Sequence, residues 1–367
     1  MQRVLNIVPY PFLPDFSGGQ KLIALFNQYL GLRCELHVAG TVTNDASLAR
    51  NYTFHPILAG NKFRYADVGN LQRMSRIIQQ HRIDTVILQH PYMAHFGWWL
   101  KKKWGVRLII HTHNIEYERF RSIGKWWWPL LKQFERWALQ QADLVFCITE
   151  EDKTAMIREL GVDAGKCILV PYGIPQKARP ADKATCKENV CGQLQLDATL
   201  PLLFFNGLLD YQPNLEALNS ILHHILPRLQ QRGFRYNMVV AGKRLPASFR
   251  QLQPWQHLHV TYAGFVEHID VYTCGADVLL NPVNTGGGVK TKMMEALGLN
   301  TTVVATRTGA TGVLPEVCGS KLLITDDNDW DAFAAAVQKG ATGKTDIPEA
   351  FYQTYNWESV IEKVVRL

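Results

Sequence analysis

The feature that most constrains this chain is its rhythm: short apolar runs alternate with longer amphipathic stretches from one end to the other. A parallel sheet with helices on both faces imposes that pattern, because its strands are buried on both sides while its helices are buried on one. In the first half the predicted strands are 4–9, 34–39, 85–89, 107–111, 144–149 and 167–171, with helices such as 20–30 and 133–141 between them. The second half repeats the theme with 202–206, 237–241, 258–262, 278–281, 302–305 and 322–324. Turn residues Tyr172, Gly173, Ile174 and Pro175 separate the two sets and lead into a polar stretch to about Asp197. The expected fold is therefore α/β, with two Rossmann-like doubly wound domains at 1–175 and 176–355. A closing helical segment at 356–367 alternates apolar and charged residues at helical spacing. Domains of this kind bind ligands in loops at the carboxyl ends of their strands, so the expected site is a cleft across which the two face each other. Pattern alone would equally fit a dehydrogenase or an epimerase.

With 367 residues and 47% hydrophobic content, each half can bury its own core, which excludes disordered and coiled-coil classes. Seven cysteines are scattered, without a CxxC pair or a Cys/His grouping at zinc-like spacing. They read as reduced thiols, and the expected location is cytoplasmic. The apolar start, Arg3 to Pro14, is broken by Pro9, Pro11 and Pro14 and reads as a strand and turn, not a signal peptide. No apolar run reaches the roughly 20 residues that span a bilayer. The net charge of +7 is unevenly placed: all the excess lies before residue 176, and the rest of the chain is neutral. That first half also carries Trp98, Trp99 and Trp104 around Lys101 to Lys103, and Lys125 followed by Trp126, Trp127 and Trp128. Basic and aromatic residues mixed this way suit the headgroup layer of an anionic membrane, so a peripheral position on the inner face of the cytoplasmic membrane is expected. No nucleic-acid-binding module accompanies the charge.

The stretch Asn281-Pro282-Val283-Asn284-Thr285-Gly286-Gly287-Gly288-Val289-Lys290-Thr291-Lys292-Met293-Met294-Glu295 carries the most chemistry. A strand ends, three glycines follow, and a helix is expected to begin near Val289. Glycines admit a ligand close to the backbone, and free amides at a positive helix end attract an anion such as a diphosphate. Lys290 and Lys292 oppose the helix dipole there, a cost that an anionic ligand offsets. Glu295 could accept hydrogen bonds from ribose hydroxyls. An ordinary strand-to-helix turn with surface lysines is the plainer alternative.

This segment resembles the donor-binding region of family 4 (group 1) glycosyltransferases of the GT-B fold, in the branch with a GGG-x-(K/R)-x-K-x-x-E-A pattern. Phe205-Asn206-Gly207 through Pro213-Asn214 resembles the opening strand and loop of that family's donor domain. Ala241-Gly242, with Lys243 after it, then Gly264-Phe265-Val266 and Ala276-Asp277-Val278 follow in the family's order. In the first half, Ser17-Gly18-Gly19 is similar to a flexible glycine loop that faces sugar and acceptor. His111-Thr112-His113-Asn114-Ile115-Glu116 is similar to a strand end whose histidine reaches the transferred sugar, and alignment of His-Asn-x-Glu favours His113 over His111. A structural histidine and an Asn114 helix cap remain the alternative reading.

The resemblance implies a nucleotide-sugar donor and a glycan or lipid-linked acceptor in surface polysaccharide or glycolipid synthesis. It also implies retention of configuration and no metal or other cofactor. His113, Lys292 and Gly19 would serve catalysis. Gly18, Gly207, Gly242, Lys243, Phe265, Val266, Gly286, Gly287, Gly288, Val289, Lys290 and Glu295 would hold the donor. Two departures stand out. Gly287 occupies the place of the first carboxylate of the family's E-x7-E pair, and Asp210 and Gln212 stand in a loop where Arg and Lys are usual. A nucleotide-sugar epimerase and a catalytically silent glycan- or nucleotide-binding protein therefore stay open as rivals. Gly340 to Thr345 lacks Walker spacing, and Asp327-Asn328-Asp329 reads as a helix cap instead of a metal ligand.

Overall fold

The computed structural model describes residues 2–15 and 17–366. The chain forms two compact units, one of Met1–Gly173 with Trp357–Leu367, the other of Ile174–Asn356. In the first, β1 (Arg3–Ile7), β2 (Glu35–Thr41), β3 (Thr53–Leu58), β4 (Thr85–Gln89), β5 (Arg107–His111), β6 (Leu144–Cys147) and β7 (Cys167–Leu169) form a parallel sheet in the order β3-β2-β1-β4-β5-β6-β7. Between them run α1 (Gly18–Leu30), α2 (Gly69–His81), α3 (Ala94–Trp104), α4 (Glu116–Ser122), α5 (Trp128–Gln141) and α6 (Glu150–Leu160). The sequence reading lacked β3, whose Pro56 and partly exposed residues hide it; it is an edge strand, where proline is tolerated.

The second unit opens with α7 (Lys183–Leu194), followed by β8 (Leu202–Asn206), α8 (Gln212–Ser220), α9 (Leu226–Gln231), β9 (Asn237–Ala241), β10 (Val260–Gly264), α10 (Ile269–Gly275) and β11 (Val278–Asn281). It continues with α11 (Thr291–Gly298), β12 (Thr302–Thr306), α12 (Pro315–Cys318), β13 (Leu322–Thr325), α13 (Trp330–Thr342) and α14 (Glu349–Tyr355). Its parallel sheet has the order β10-β9-β8-β11-β12-β13. The last helix, α15 (Trp357–Val365), packs with the first unit: Trp357 is fully buried and stacks on Tyr29 at a centroid distance of 6.1 Å. A Cβ on Gly173 would lie 2.4 Å from that indole, so glycine is required where the chain passes it.

One device recurs at the amino-terminal edges of both sheets. Asp84, Asp143 and Asp277 each precede a strand, and each clamps the neighbouring strand with both its backbone and its carboxylate. The Asp84 N–H donates to the Arg3 carbonyl at 3.0 Å, and Oδ2 accepts from the Arg3 N–H at 2.9 Å. Asp143 does the same to Leu108 at 2.8 and 2.8 Å, and Asp277 to Leu202 at 2.8 and 2.8 Å. Lys101 neutralises Asp143 at 2.7 Å and Lys187 neutralises Asp277 at 2.8 Å. These ring-closed pairs satisfy the first amides of strands buried on both faces, and they fix the register that sets which loops meet at the other edge.

Candidate active-site regions in the two units

Each sheet has one point where strand order reverses, and in open α/β sheets the ligand crevice lies at the carboxyl ends of the strands there. In the second unit that point lies between β8 and β11. Leaving β8, the chain turns at Gly207 with φ 152; leaving β9, it turns at Gly242 with φ 151. The two turns touch so closely that a Cβ on Gly242 would fall 1.9 Å from the Gly207 carbonyl oxygen. The Gly242 N–H donates to the Gly264 carbonyl at 2.7 Å, which joins the turn after β10 to the same cluster. Lys243 Nζ lies 3.9 Å from the centre of the exposed Phe265 ring, and Val266 follows, half-buried, in that turn.

The segment after β11 completes the group. Gly286 and Gly288 take left-handed φ values of 83 and 75, which keep the backbone out of the helix. The helix therefore starts at Thr291, later than the expected Val289, with Lys290 as its cap residue. Lys290 Nζ folds back and donates to the carbonyls of Gly286 and Gly288 at 2.8 and 2.9 Å, so it braces the glycine loop. Lys292 Nζ instead reaches across the switch point. It donates to the Asn206 carbonyl at 3.1 Å and to Asn214 Oδ1 at 3.0 Å, above the Phe205 ring. Burial, reinforced by Lys290, pulls the Lys292 ammonium down to about 7, and burial pulls Lys290 to about 8. A lysine so poorly solvated gains charge when an anion arrives. Gly287 is exposed, and Val289 and Glu295 are half-buried. Sequence reasoning missed Asn206 and Asn214 as partners of Lys292, although both stand in the segment it singled out. It also missed Arg244, whose φ is 60 and whose guanidinium lies 3.5 Å from Asp210, the acidic residue in the loop after β8.

In the first unit the reversal lies between β1 and β4. Gly18 and Gly19 are not a flexible loop, as expected, but the first turn of α1. Gln20 Oε1 accepts from the Ser17 N–H at 2.9 Å, a capping interaction that starts the helix two residues before the expected Gln20. A Cβ on Gly19 would meet nothing within 4 Å, so space is open beside the first turn of α1, whose leading amides have no intrahelical partner.

His113 lies just beyond β5, buried, with Nε2 2.8 Å from Gln89 Oε1. Gln89 Nε2 donates to Asn6 Oδ1 at 3.2 Å, and Asn6 Nδ2 to Asn27 Oδ1 at 2.5 Å, a polar chain from β5 through β4 and β1 to α1. Burial first, then His90 and His111, hold the His113 imidazole far below its usual range, so it is neutral and donates through Nε2. His111, fully buried on the strand itself, has neither ring nitrogen bonded. Beside His113 stands a group that the sequence did not assemble. His90 packs at a centroid distance of 4.2 Å, its Nδ1 lies 2.8 Å from Glu116 Oε1, and Tyr92 Oη donates to the same carboxylate. Burial alone would raise Glu116, but His90, Tyr92 and Arg119 together hold it below its ordinary value. Glu135, wholly buried, caps α4 by accepting the Glu116 and Tyr117 N–H groups at 3.0 Å each, and burial pushes its carboxyl up to about 7. The Glu116 role was half visible, since His-Asn-x-Glu was read as the start of a helix.

The tryptophans divide. Trp99, Trp104 and Trp128 pack on the core, with Lys103 Nζ 4.6 and 5.1 Å above Trp99 and Trp104. Trp127 packs on Phe120 at 4.6 Å. Trp126 is 82% exposed and stands with exposed Ile123 and Leu130 around the α4–α5 turn. Among the described residues, no helix is long and apolar enough to cross a membrane.

Comparison with known proteins places these features in a family. The profile described as Glycosyltransferase Family 4 matches residues 17–177, and that of Glycosyl transferases group 1 matches 201–341. A Streptomyces avermitilis UDP-N-acetylglucosamine–N-acetylmuramyl-(pentapeptide) pyrophosphoryl-undecaprenol N-acetylglucosamine transferase is 23% identical over 63% of this chain and 55% of its own length. An Escherichia coli UDP-Gal:alpha-D-GlcNAc-diphosphoundecaprenol alpha-1,3-galactosyltransferase is 23% identical over 51% of this chain and 50% of its own. The chain thus spans about half the length of these curated relatives. Among solved structures, the Anabaena protein HepE in complex with UDP superposes with a TM-score of 0.73 at 13% identity, covering 100% of this chain and 99% of that one.

Proposed function

This chain belongs to the family 4, group 1 glycosyltransferases of the GT-B fold, and from that premise we propose that it transfers a sugar from a nucleotide diphosphate donor to a glycan or lipid-linked acceptor. The observation that carries the reading is Lys292: a poorly solvated ammonium directed at the Asn206 carbonyl, between two glycine turns, at the switch point of the second unit. A diphosphate in that crevice would take the lysine's hydrogen bonds from neutral carbonyls and supply the negative charge its burial leaves it without. The loop amides from Gly286 to Gly288, braced by Lys290, would meet the phosphate oxygens, and Glu295 the ribose. Uridine is the proposed base, since the two relatives named above carry UDP-sugars in their names and HepE was solved with UDP.

Cleavage of the sugar–phosphate bond leaves charge on the departing diphosphate, and Lys292 is the residue placed to stabilise it. His113, neutral and with its Nε2–H donated to Gln89, keeps Nδ1 to accept a hydrogen bond from a sugar hydroxyl. The Gly18 and Gly19 amides at the start of α1 suit a phosphate or sugar oxygen. Retention, with no metal in the chemical step, is part of the proposal. Undecaprenol-linked substrates in the relatives' names favour a lipid-linked acceptor in surface glycan synthesis. The exposed Trp126 patch, flanked by Arg121 and Lys125, favours a membrane-surface position.

The test is turnover of a UDP-sugar panel with a lipid-diphosphate sugar acceptor, with and without chelator, read by mass spectrometry. Expected are a glycosylated acceptor and free UDP, a chelator-independent rate, and a loss of about tenfold or more in Lys292→Ala, as removal of a charge-assisted bond worth roughly 1.5–3 kcal/mol requires. Conversion of the donor sugar with no acceptor consumed would make the chain an epimerase. Nucleotide binding without transfer or hydrolysis would make it a silent binding protein.

A further inference from the structure

Histidines 37, 55 and 81 share no short motif: they stand 18 and 26 residues apart, and nothing in the linear spacing relates them. Folding brings them together on β2, on edge strand β3 and on the last turn of α2. One ligand-capable atom from each lies within 4.8 Å of the others. His37 Nδ1 is 3.0 Å from His55 Nε2, and the rings of His37 and His81 lie 3.9 Å apart. His37 is 3% exposed, while His55 and His81 are half-buried.

Three imidazoles crowded this closely repel one another once protonated. Burial, with the neighbouring rings, holds His55 down to about 4, and burial lowers His37 as well. Neutral imidazoles are the ligand form. Two nitrogens about 2.0–2.1 Å from a tetrahedral ion lie about 3.3 Å apart, close to the observed His37–His55 separation. The ion would take the place of the single proton those two nitrogens now share. The gap to His81, no more than 4.8 Å, would close by at most about 1.5 Å through rotation of that half-buried ring. Two further features point the same way. Glu35 Oε1 lies 3.3 Å from His37 Nε2, the ring nitrogen that does not face His55. A carboxylate on the outer nitrogen fixes the tautomer and orientation of a metal-ligating histidine. His81 also ends α2, whose negative dipole end favours a cation.

We propose that His37, His55 and His81 form a binding site for one divalent transition-metal ion of the zinc class, with Glu35 orienting His37. Imidazole ligands suit zinc, copper and nickel and exclude calcium and magnesium, which take oxygen. The site is a staple, not a centre of catalysis. His37 sits near the start of β2, whereas Gly19, His90 and His113 lie beyond the carboxyl ends of β1, β4 and β5. An ion there would fasten the edge strand β3 to β2 and to α2.

The experiment uses tag-free, chelator-treated full-length protein titrated with Zn²⁺ and with Co²⁺, whose visible spectrum reports tetrahedral nitrogen coordination. Metal content per chain, dissociation constant and thermal midpoint are read for the protein and for His55→Gln, His81→Gln, Glu35→Gln and the remote control His224→Gln. Expected are one ion per chain, a raised midpoint and an unchanged transfer rate. Glu35→Gln should weaken binding by about 10–100-fold, and the two ligand variants by more. His224→Gln should bind as the parent does. Should His55→Gln fail to fold, His81→Gln at the helix end carries the same test. Zn²⁺ binding no tighter than about 1 mM, or equal binding by the ligand variants, overturns the proposal.

Discussion

At the scale of single residues, Lys292 and Gly242 show how burial turns ordinary side chains into demanding ones. With Lys292 pulled down to about 7, its ammonium is largely lost in the free protein above that pH. A bound diphosphate favours the charged form, so binding takes up a proton, and donor affinity falls as pH rises from about 7 to about 9. Calorimetry of UDP binding in buffers of different ionisation enthalpy should show that uptake. Lys292→Arg, charged throughout, should flatten the pH dependence; a parent affinity independent of pH across that window would remove Lys292 from the phosphate site. Gly242 makes a prediction about stability. A methyl group there meets the Gly207 oxygen at 1.9 Å in a backbone region that L-residues rarely occupy. Gly242→Ala should therefore cost roughly 2 kcal/mol or more, visible as a lower denaturant midpoint. Gly19→Ala, with open space around its Cβ, should leave the midpoint nearly unchanged. The glycine-rich segment and its lysines were legible because their residue types are unusual after a strand. The division of labour between Lys290 and Lys292 was not, since it depends on the positive φ of Gly286 and Gly288, and a run of three glycines leaves φ open.

At the scale of elements, the strands with apolar residues throughout were legible to within a residue or two, because a strand buried on both faces has no alternative reading. Strands β4, β5, β8 and β11 are of this kind. What escaped was whatever sits half in water: β3, with Pro56 in its middle, and the first turn of α1, where two glycines looked like loop until Gln20 capped them. Polar groups that meet only after folding also escaped, His90 with Glu116 and Gln89 with His113 among them. The tryptophan-rich stretches were legible as amphipathic but not residue by residue, because helical phase decides which rings face the core. The α4–α5 turn keeps the most exposed tryptophan out, Trp126 at 82%, with Ile123 and Leu130 beside it, whereas Trp98 on α3 is exposed at 36%. Arg121, in the last turn of α4, holds its guanidinium 5.1 Å from the Trp128 ring. If this turn meets the membrane, Trp126→Ala with Leu130→Ser should reduce cosedimentation with phosphatidylglycerol vesicles at low salt and leave transfer to a soluble acceptor intact. Loss of folding is not expected, since neither side chain contributes to the core. Unchanged vesicle binding would move the membrane contact elsewhere.

At the scale of the whole molecule, the chain path matters as much as the residues. The polypeptide enters the second unit at Ile174 and leaves it at Asn356, and those two residues are bridged as neighbours in a parallel pair. The Ile174 N–H donates to the Tyr355 carbonyl at 2.7 Å, and Asn356 Nδ2 to the Gln176 carbonyl at 2.9 Å. The second unit is thus an insertion with joined ends and its own core, built on Leu203, Phe205, Met238 and Val304. It also holds Gly207, Gly242, Lys243, Phe265, Val266, Gly286 to Lys290, Lys292 and Glu295, the proposed donor residues other than Gly18, and none of the basic excess, which belongs to the first unit. Residues 174–356 expressed alone should therefore fold and bind UDP. Ligand at 100 times its dissociation constant should stabilise them by about 2.7 kcal/mol, a rise in midpoint that Lys292→Ala reduces. The first unit has the opposite dependence, since it needs α15 from the far end of the chain to fill the space around Tyr29 and Phe26. In the intact chain, Trp357→Ala should cost about 3–5 kcal/mol, as loss of a fully buried indole does, in the transition of the first unit alone. The UDP-dependent shift of the second unit should survive that substitution. If it vanished with Trp357, donor binding would depend on the first unit, and the assignment of the donor site to residues 174–356 would fail.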